Sequence, residues 1–385
     1  MFRDAVIVAY GRSAVGRARK GSLEAVHPID YSAQVLKGVL AKIPQLDPND
    51  IEDVIMGCAM PFNEAAMNIA RLVVNRAGLP DSVSGQTINR FCSSGLQAIA
   101  TAANAIAAGQ GDVIVAGGVE DMSKTFGVFD NKFRDTWFDK NYPGGYMSMG
   151  QTAENIVDKF TITRTEMDQL AVDSHGKARK AQEDGKLAPS IIPVTFTNVE
   201  GESVTLTQDE GIRPSSLESL ATLKPCFKED GKVTAATSSQ TSDAASFVVL
   251  MSAEKAKALK IKPLARLVAF ATAGCDATLM GMGPIYAVPK AMKRAELTVD
   301  DMDIIEINEA FASQAIVCCR ELKFNMEKVN PYGSALALGH PMGATGAILT
   351  CKALDYLQDT KGKYGLVTMC VGGGMGAAGI FELLK

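Results

Sequence analysis

Cys92-Ser93-Ser94-Gly95-Leu96-Gln97-Ala98-Ile99-Ala100-Thr101-Ala102-Ala103-Asn104-Ala105-Ile106-Ala107-Ala108-Gly109, followed closely by Val113-Ile114-Val115-Ala116-Gly117-Gly118, is where the fold can be read. Leu96, Ile99, Ala103 and Ile106 recur at helical spacing, Gly109 offers a stop, and the β-branched run behind it predicts a strand. Alanines surround this helix so completely that it is expected to be buried. A thiol opens it.

The same punctuation extends outward. Val6-Ile7-Val8 reads as a strand, 31–43 as a helix and Val54-Ile55-Met56-Gly57 as a strand, so the class is α/β. A second copy of the pattern lies near the C-terminus. Leu338-Gly339-His340-Pro341-Met342-Gly343 feeds a helix carrying Ala347, Ile348, Leu349, Ala353 and Leu354, and Gly365-Leu366-Val367-Thr368-Met369 leads to Cys370 and Gly372-Gly373-Gly374. The spacing from reactive residue to glycines is longer in this copy, so the repeat is loose. Two related α/β halves that meet at one site are the expectation.

Between them, 121–241 reads differently, with aromatics from Trp137 to Tyr146, prolines at 189, 193, 214 and 225, and many charges. It is taken as an insertion over the core. The expected organisation is therefore a first half of residues 1–120 and 242–262, an inserted domain of 121–241, and a second half of 263–385.

Composition narrows the class of function. At 385 residues with 47% hydrophobic side chains, the chain exceeds what one growing core accommodates and can fill several. A net charge of -4 creates no field that favours nucleic acid or an anionic membrane. No apolar run approaches the roughly 18 residues of a membrane span, and nothing at the N-terminus has the basic and apolar regions of a secretory signal. Eight scattered cysteines without Cys-x-x-Cys spacing argue against a zinc ribbon, a structural metal site or a disulfide framework. A reducing, cytoplasmic setting and no metal are expected.

Three positions carry candidate chemistry. Cys92, at a helix start, faces free N–H groups and the positive end of the macrodipole, which predicts a favoured thiolate and makes it the candidate nucleophile. His340 sits among Gly339, Pro341, Gly343 and Gly346, where an imidazole can accept a thiol proton or donate to an oxyanion. Cys370 precedes three glycines whose N–H groups can form an oxyanion hole. Taken singly, each has a plainer alternative: a core thiol, a turn histidine and a strand-end thiol. Gly374-Met375-Gly376-Ala377-Ala378-Gly379 matches a dinucleotide fingerprint, but only Ile380 to Lys385 remain after it, too few for the phosphate-binding helix. A nicotinamide or flavin site is rejected.

Together these residues resemble the thiolase family over nearly the whole chain. The resemblance rests on Asn89-Arg90-Phe91-Cys92-Ser93-Ser94-Gly95, Asn308-Glu309-Ala310-Phe311-Ala312, Asn330-Pro331-Tyr332-Gly333 through Gly339-His340-Pro341-Met342-Gly343-Ala344-Thr345-Gly346, and Cys370-Val371-Gly372-Gly373-Gly374-Met375-Gly376, four blocks in order. It implies a duplicated five-layered α-β-α-β-α core, an inserted loop domain over a coenzyme A site, and a homodimer or homotetramer. In the roles it implies, Cys92 accepts the acyl group, His340 activates it, and Cys370 shuttles the proton. Asn308 holds a water that serves, with His340, one oxyanion site, and the N–H groups of Cys92 and Gly372 form the other. Arg213, Ser239, Ala310 and Phe311 are implied contacts for coenzyme A, a substrate rather than a resident cofactor, and Met149 and Met280 line the acyl pocket.

Biosynthetic members of the family usually carry histidine where this chain has Ser148, which tilts the expected activity to degradative thiolysis of 3-ketoacyl-CoA in β-oxidation, with a hydratase/dehydrogenase as a conceivable partner. The alternatives are a biosynthetic acetoacetyl-CoA thiolase and a noncatalytic acyl-CoA-binding homologue. A decarboxylating ketosynthase is not expected to pair His340 with a second catalytic cysteine.

Overall fold

In the computed structural model, which describes residues 3–128, 130–198 and 200–384, each apolar run has become a strand and each alanine-rich run a helix. The first half consists of β1 (Ala5–Arg12), α1 (Pro28–Leu40), β2 (Asp53–Gly57), α2 (Ile69–Arg76), β3 (Ser84–Ile88), α3 (Ser94–Ala107) and β4 (Val113–Asp121). Helices α4 (Met149–Phe160) and α5 (Arg164–Glu183) come next, and β5 (Ser242–Ser252) returns to the first half. The second half contains β6 (Ala265–Gly274), α6 (Gly283–Ala295), β7 (Ile304–Ile307), α7 (Ala312–Glu321), α8 (Met342–Thr360), β8 (Tyr364–Val371) and β9 (Met375–Leu383).

The strand orders expose the duplication. In the first half the order is β1-β5-β4-β2-β3, antiparallel at the first two junctions and parallel at the next two. In the second it is β6-β9-β8-β7, again antiparallel twice and then parallel, and a parallel bridge from Ile305 to Val329 stands where β3 stands in the first half. A single pairing of Ile7 with Ala265 joins the two sheets at a corner.

Period-two burial then sorts the layers. Along β4, Val113 and Val115 face α1 and α2, in one apolar cluster with Val35, Val39 and Val73 of those helices and Phe247 of β5. Ile114 and Ala116 face the other way, onto α3 and α8. That central helical layer, with Leu96, Ile99, Ala347 and Leu354, is closed on its far side by Val367, Met369 and Phe381 of the second sheet. Beyond that sheet, Ala287, Val288 and Cys318 of α6 and α7 cover Ala271, Leu366 and Ile380. The α-β-α-β-α core expected from the resemblance is therefore present, and α3 is buried as its alanines required.

The two central helices cross backbone to backbone. A Cβ on Gly95 would stand 2.9 Å from both the Ala347 nitrogen and the Gly343 oxygen, and one on Gly346 would collide with the Leu96 backbone. Small residues at the crossing let the N-terminal ends of α3 and α8 converge. Those ends carry Cys92 and His340.

Candidate active site

The turn before α3 is built by its own polar side chains. Asn89 Oδ1 accepts from the Phe91 N–H (2.8 Å), while Ser94 Oγ accepts from the Arg90 N–H (2.9 Å) and donates to the Phe91 carbonyl (2.7 Å). These bonds hold Phe91 at φ 42, a left-handed conformation that costs a non-glycine residue roughly 1–2 kcal/mol. The next residue, Cys92, is thereby presented from a buried position.

Two backbone N–H groups, from Gly372 and from Cys92 itself, favour the Cys92 thiolate, but burial outweighs them and pushes the thiol up to about 11. This departs from the reading of a helix-start thiolate. The sulfur has lost more solvation than the N–H groups replace, so the resting site holds a neutral thiol. We expect alkylation of Cys92 by iodoacetamide, followed by peptide mass spectrometry, to keep accelerating from pH 8 to pH 10. A plateau by pH 8 would contradict a thiol raised by burial.

His340 is also neutral at rest, since burial lowers it to about 4. Its backbone N–H donates to the Gln240 carbonyl (2.9 Å), its Nδ1 lies 2.7 Å from Thr345 Oγ1, and its Nε2 lies 3.4 Å from Asn308 Nδ2. With the amide nitrogen donating to Nε2, the ring proton rests on Nδ1 and points to Thr345. Asn308 Oδ1 is buried and has no hydrogen-bond partner among the described residues.

Asn308 follows β7, where its N–H donates to the Thr368 carbonyl (3.0 Å). Asn330 clamps both sides of it. The Asn330 side chain accepts from the Ile307 N–H (2.9 Å) and donates to the Ile307 carbonyl (3.0 Å) and to Glu309 Oε1 (2.9 Å). Ser174 of α5 donates to Glu309 Oε2 (2.6 Å), which ties the inserted segment to this loop.

Cys370 is fully buried, with its thiol raised by burial and, secondly, by the neighbouring Cys92. It shares an apolar cluster with Met149, Met280, Ala310 and Phe311. A Cβ built on Gly372 would touch the Phe91 ring at 3.5 Å and Met149 Sδ at 3.8 Å, so the turn between β8 and β9 closes against the nucleophile turn. Gly373 and Gly374 follow at φ 80 and 85, a geometry that favours glycine.

Ser239 donates its N–H to the Ala310 carbonyl (2.9 Å), and Ser238 bridges to Phe311. These implied coenzyme A contacts therefore adjoin the Gln240 to His340 bond. Arg213 is held elsewhere, by its N–H to His175 Nδ1 (3.3 Å), and its half-buried guanidinium is lowered by burial and then by nearby Arg17. The loop at Asp209, four residues before Arg213, is anchored by a buried bidentate pair with Arg12 (2.6 and 2.9 Å). Among the described residues no cluster of His, Cys, Asp or Glu is arranged to hold a metal ion, and no helix is long and apolar enough to cross a membrane.

Comparison with known proteins gives the family. Models of the thiolase N-terminal and C-terminal domains match residues 5–254 and 261–383. The chain belongs to the thiolase family. It is 45% identical to the 3-ketoacyl-CoA thiolase of Bacillus subtilis (strain 168), over 99% of this chain and 100% of that protein. It is 42% identical to the 3-oxoadipyl-CoA/3-oxo-5,6-dehydrosuberyl-CoA thiolase of Escherichia coli (strain K12), over 99% of each. The crystal structure of the Bacillus anthracis acetyl-CoA acetyltransferase superposes with a TM-score of 0.92 at 39% identity, covering 100% of this chain and 99% of that one. As a thiolase, the protein is an acyltransferase.

Three site neighbours escaped the sequence reading. Thr345 lay inside a quoted block, but only the fold shows its hydroxyl reaching the His340 ring. Asn330 likewise stood in a block without a role. Glu120 had a weaker signal: an acidic residue directly behind the apolar run and glycine pair of β4, where a solvated strand end was equally reasonable.

Proposed function

We propose that this thiolase cleaves 3-ketoacyl-CoA with coenzyme A, releasing acetyl-CoA and an acyl-CoA two carbons shorter, as in β-oxidation. The reading is supported by two neighbouring thiols with the N–H groups of Gly372 and Cys92 on the Cys92 sulfur, by the His340–Asn308 pair, and by the close crossing of α3 and α8, whose starts carry Cys92 and His340.

The chemistry follows from what each step must stabilise. Cys92 and His340 are neutral at rest, so the thiol proton passes to His340 Nε2 as the sulfur attacks the 3-keto carbon and negative charge moves onto the substrate oxygen. The N–H groups of Cys92 and Gly372 receive that oxyanion. The bond between C2 and C3 then breaks, its electron pair becomes the enolate of acetyl-CoA, and Cys370 gives its proton to C2. Asn308 and His340 meet the enolate oxygen, and the unpartnered Asn308 Oδ1 is suited to hold a water there. Coenzyme A next gives its thiol proton to Cys370 and attacks the acyl-Cys92 thioester, and the Cys92 sulfur leaves and takes back the proton held on His340 Nε2, which returns all three residues to the start.

In the same reading Met149 and Met280 receive the acyl chain, Ser239, Ala310 and Phe311 adjoin the pantetheine arm, and Arg213 serves the nucleotide end. Residues 121–241 form the domain over that ligand. Ser148, the residue that pointed to the degradative type, caps α4 through the Gln151 N–H (3.3 Å) and adds little bulk beside Met149. A dimer is supported by the edge strand β3 and the exposed Phe62, Met67, Leu72 and Phe91 near it, Met67 being 85% exposed. All eight cysteines are unpaired, which supports a reducing compartment.

Incubation with a 3-ketoacyl-CoA is expected to add one acyl mass to Cys92, removed by free coenzyme A. Cys370→Ser should acylate slowly and turn over at least about 100-fold less, as expected when a positioned proton donor is lost. No adduct and no thiolysis would sink the reading, and unchanged turnover in Cys370→Ser would remove the shuttle role. The likeness to the Bacillus anthracis acetyltransferase favours a second reading, condensation of two acetyl-CoA molecules. Faster turnover of acetoacetyl-CoA than of longer 3-ketoacyl-CoA chains would select it.

A further inference from the structure

We propose that Glu120 is a positioning residue that sets Cys92 and His340 relative to each other across the two halves. The proposal rests on the acyl-Cys92 reading. Glu120 lies near the C-terminal end of β4, is fully buried, and has no cationic partner among its hydrogen bonds. Its carboxylate instead accepts three backbone N–H groups: Gly343 to Oε2 (2.7 Å), Ala59 to Oε2 (3.0 Å) and Met60 to Oε1 (3.0 Å).

Each bond leads to one member of the catalytic pair. Gly343 is in the first turn of α8, three residues after His340 and two before Thr345, whose hydroxyl meets the imidazole. Ala59 and Met60 form the segment after β2. The Ala59 carbonyl accepts from Asn89 Nδ2 (3.0 Å), and Asn89 Oδ1 in turn holds the Phe91 N–H beside Cys92 (2.8 Å). The Cys58 N–H also donates to the Ile88 carbonyl (3.0 Å), at the strand end that leads into the same turn. One carboxylate thus joins the nucleophile turn of the first half to the histidine helix of the second. Burial pushes the Glu120 carboxyl up to about 7 and the three N–H groups pull it back toward the carboxylate, so above that pH the link between the two turns has the strength of hydrogen bonds to a charged acceptor, about twice that of neutral ones.

The site gives Glu120 an electrostatic part as well. Its charge opposes ionisation of Cys92. The groups that face it are Asp121 on its own strand, Cys58 behind β2, Tyr31 of α1 and Cys92 itself, all of them acids, so none competes for its charge.

Glu120→Gln keeps the shape, but its amide nitrogen must now face at least one N–H group. We expect kcat for thiolysis to fall 30- to 300-fold while KM for both substrates stays within threefold, and the pH midpoint for alkylation of Cys92 by iodoacetamide to move to lower pH. A wild-type kcat together with an unchanged alkylation midpoint would overturn the proposal. If wild-type protein performs no thiolysis, the reading of the function fails while the alkylation comparison still decides the role of Glu120. Should Glu120→Gln not fold, as judged by circular dichroism, Asn89→Ala breaks the same chain at the surface. It is expected to lower kcat at least 10-fold at constant KM, and a wild-type kcat in that variant overturns the proposal.

Discussion

Replacing Cys92 with alanine is expected to abolish the acyl-enzyme and reduce thiolysis by about 10^4-fold or more, the scale on which loss of a covalent nucleophile is felt. No neighbouring group can substitute. Cys370 is fully buried in an apolar cluster with its thiol raised further by burial, and Ser93 and Ser94 are committed to hydrogen bonds within the turn. Because the change removes one sulfur and leaves the hydrogen bonds that build the turn in place, the variant should keep its melting temperature within a few degrees of wild type. Thiolysis of a 3-ketoacyl-CoA followed by absorbance, with intact mass spectrometry, checks both halves of the statement. Residual activity above about 1% would assign the nucleophile elsewhere.

Gly346→Ala should be the most damaging change outside the reacting groups. In an exposed helix the substitution would stabilise by about 1 kcal/mol, through the higher helix propensity of alanine. Here the new methyl meets backbone rather than a movable side chain, with Leu96 Cα only 3.0 Å away. Separating α8 from α3 by several tenths of an ångström opens the central layer, and such overpacking costs about 3 kcal/mol or somewhat more, so the loss exceeds the propensity gain. The same displacement carries His340 away from Cys92, and misplacement by about 1 Å can cost on the order of 100-fold in rate. Denaturant unfolding and the acylation rate are the two measurements. Wild-type values in both would show that the helices have room to part.

Much of the core was legible because burial on both faces leaves a plain signature. Val113 to Ala116 is continuously apolar, and both of its faces turned out to be covered. The apolar runs also stop and resume where β4 ends at Asp121 and β5 begins at Ser242. The state of Cys92 was not legible. Position at a helix start predicted a thiolate, whereas full burial raised the thiol to about 11. Local backbone geometry can be inferred from neighbours in sequence, but desolvation depends on what packs from elsewhere, here the turn at Gly372, which closes against Phe91.

The sequence by itself determined the alternation of strands and helices, the two halves, and Cys92, His340 and Cys370 as residues able to do thioester chemistry, because period, glycine placement and side-chain reactivity are local properties; Asn308 entered only through the resemblance to a family. Only the tertiary structure decided that the starts of α3 and α8 converge, that Thr345 and Asn308 flank a neutral imidazole, and that Glu120 bonds to both halves at once. The physical reason is distance. Residues hundreds of positions apart meet only because Gly95 and Gly346 let two helices touch through their backbones, and no local pattern records which partner a glycine is making room for.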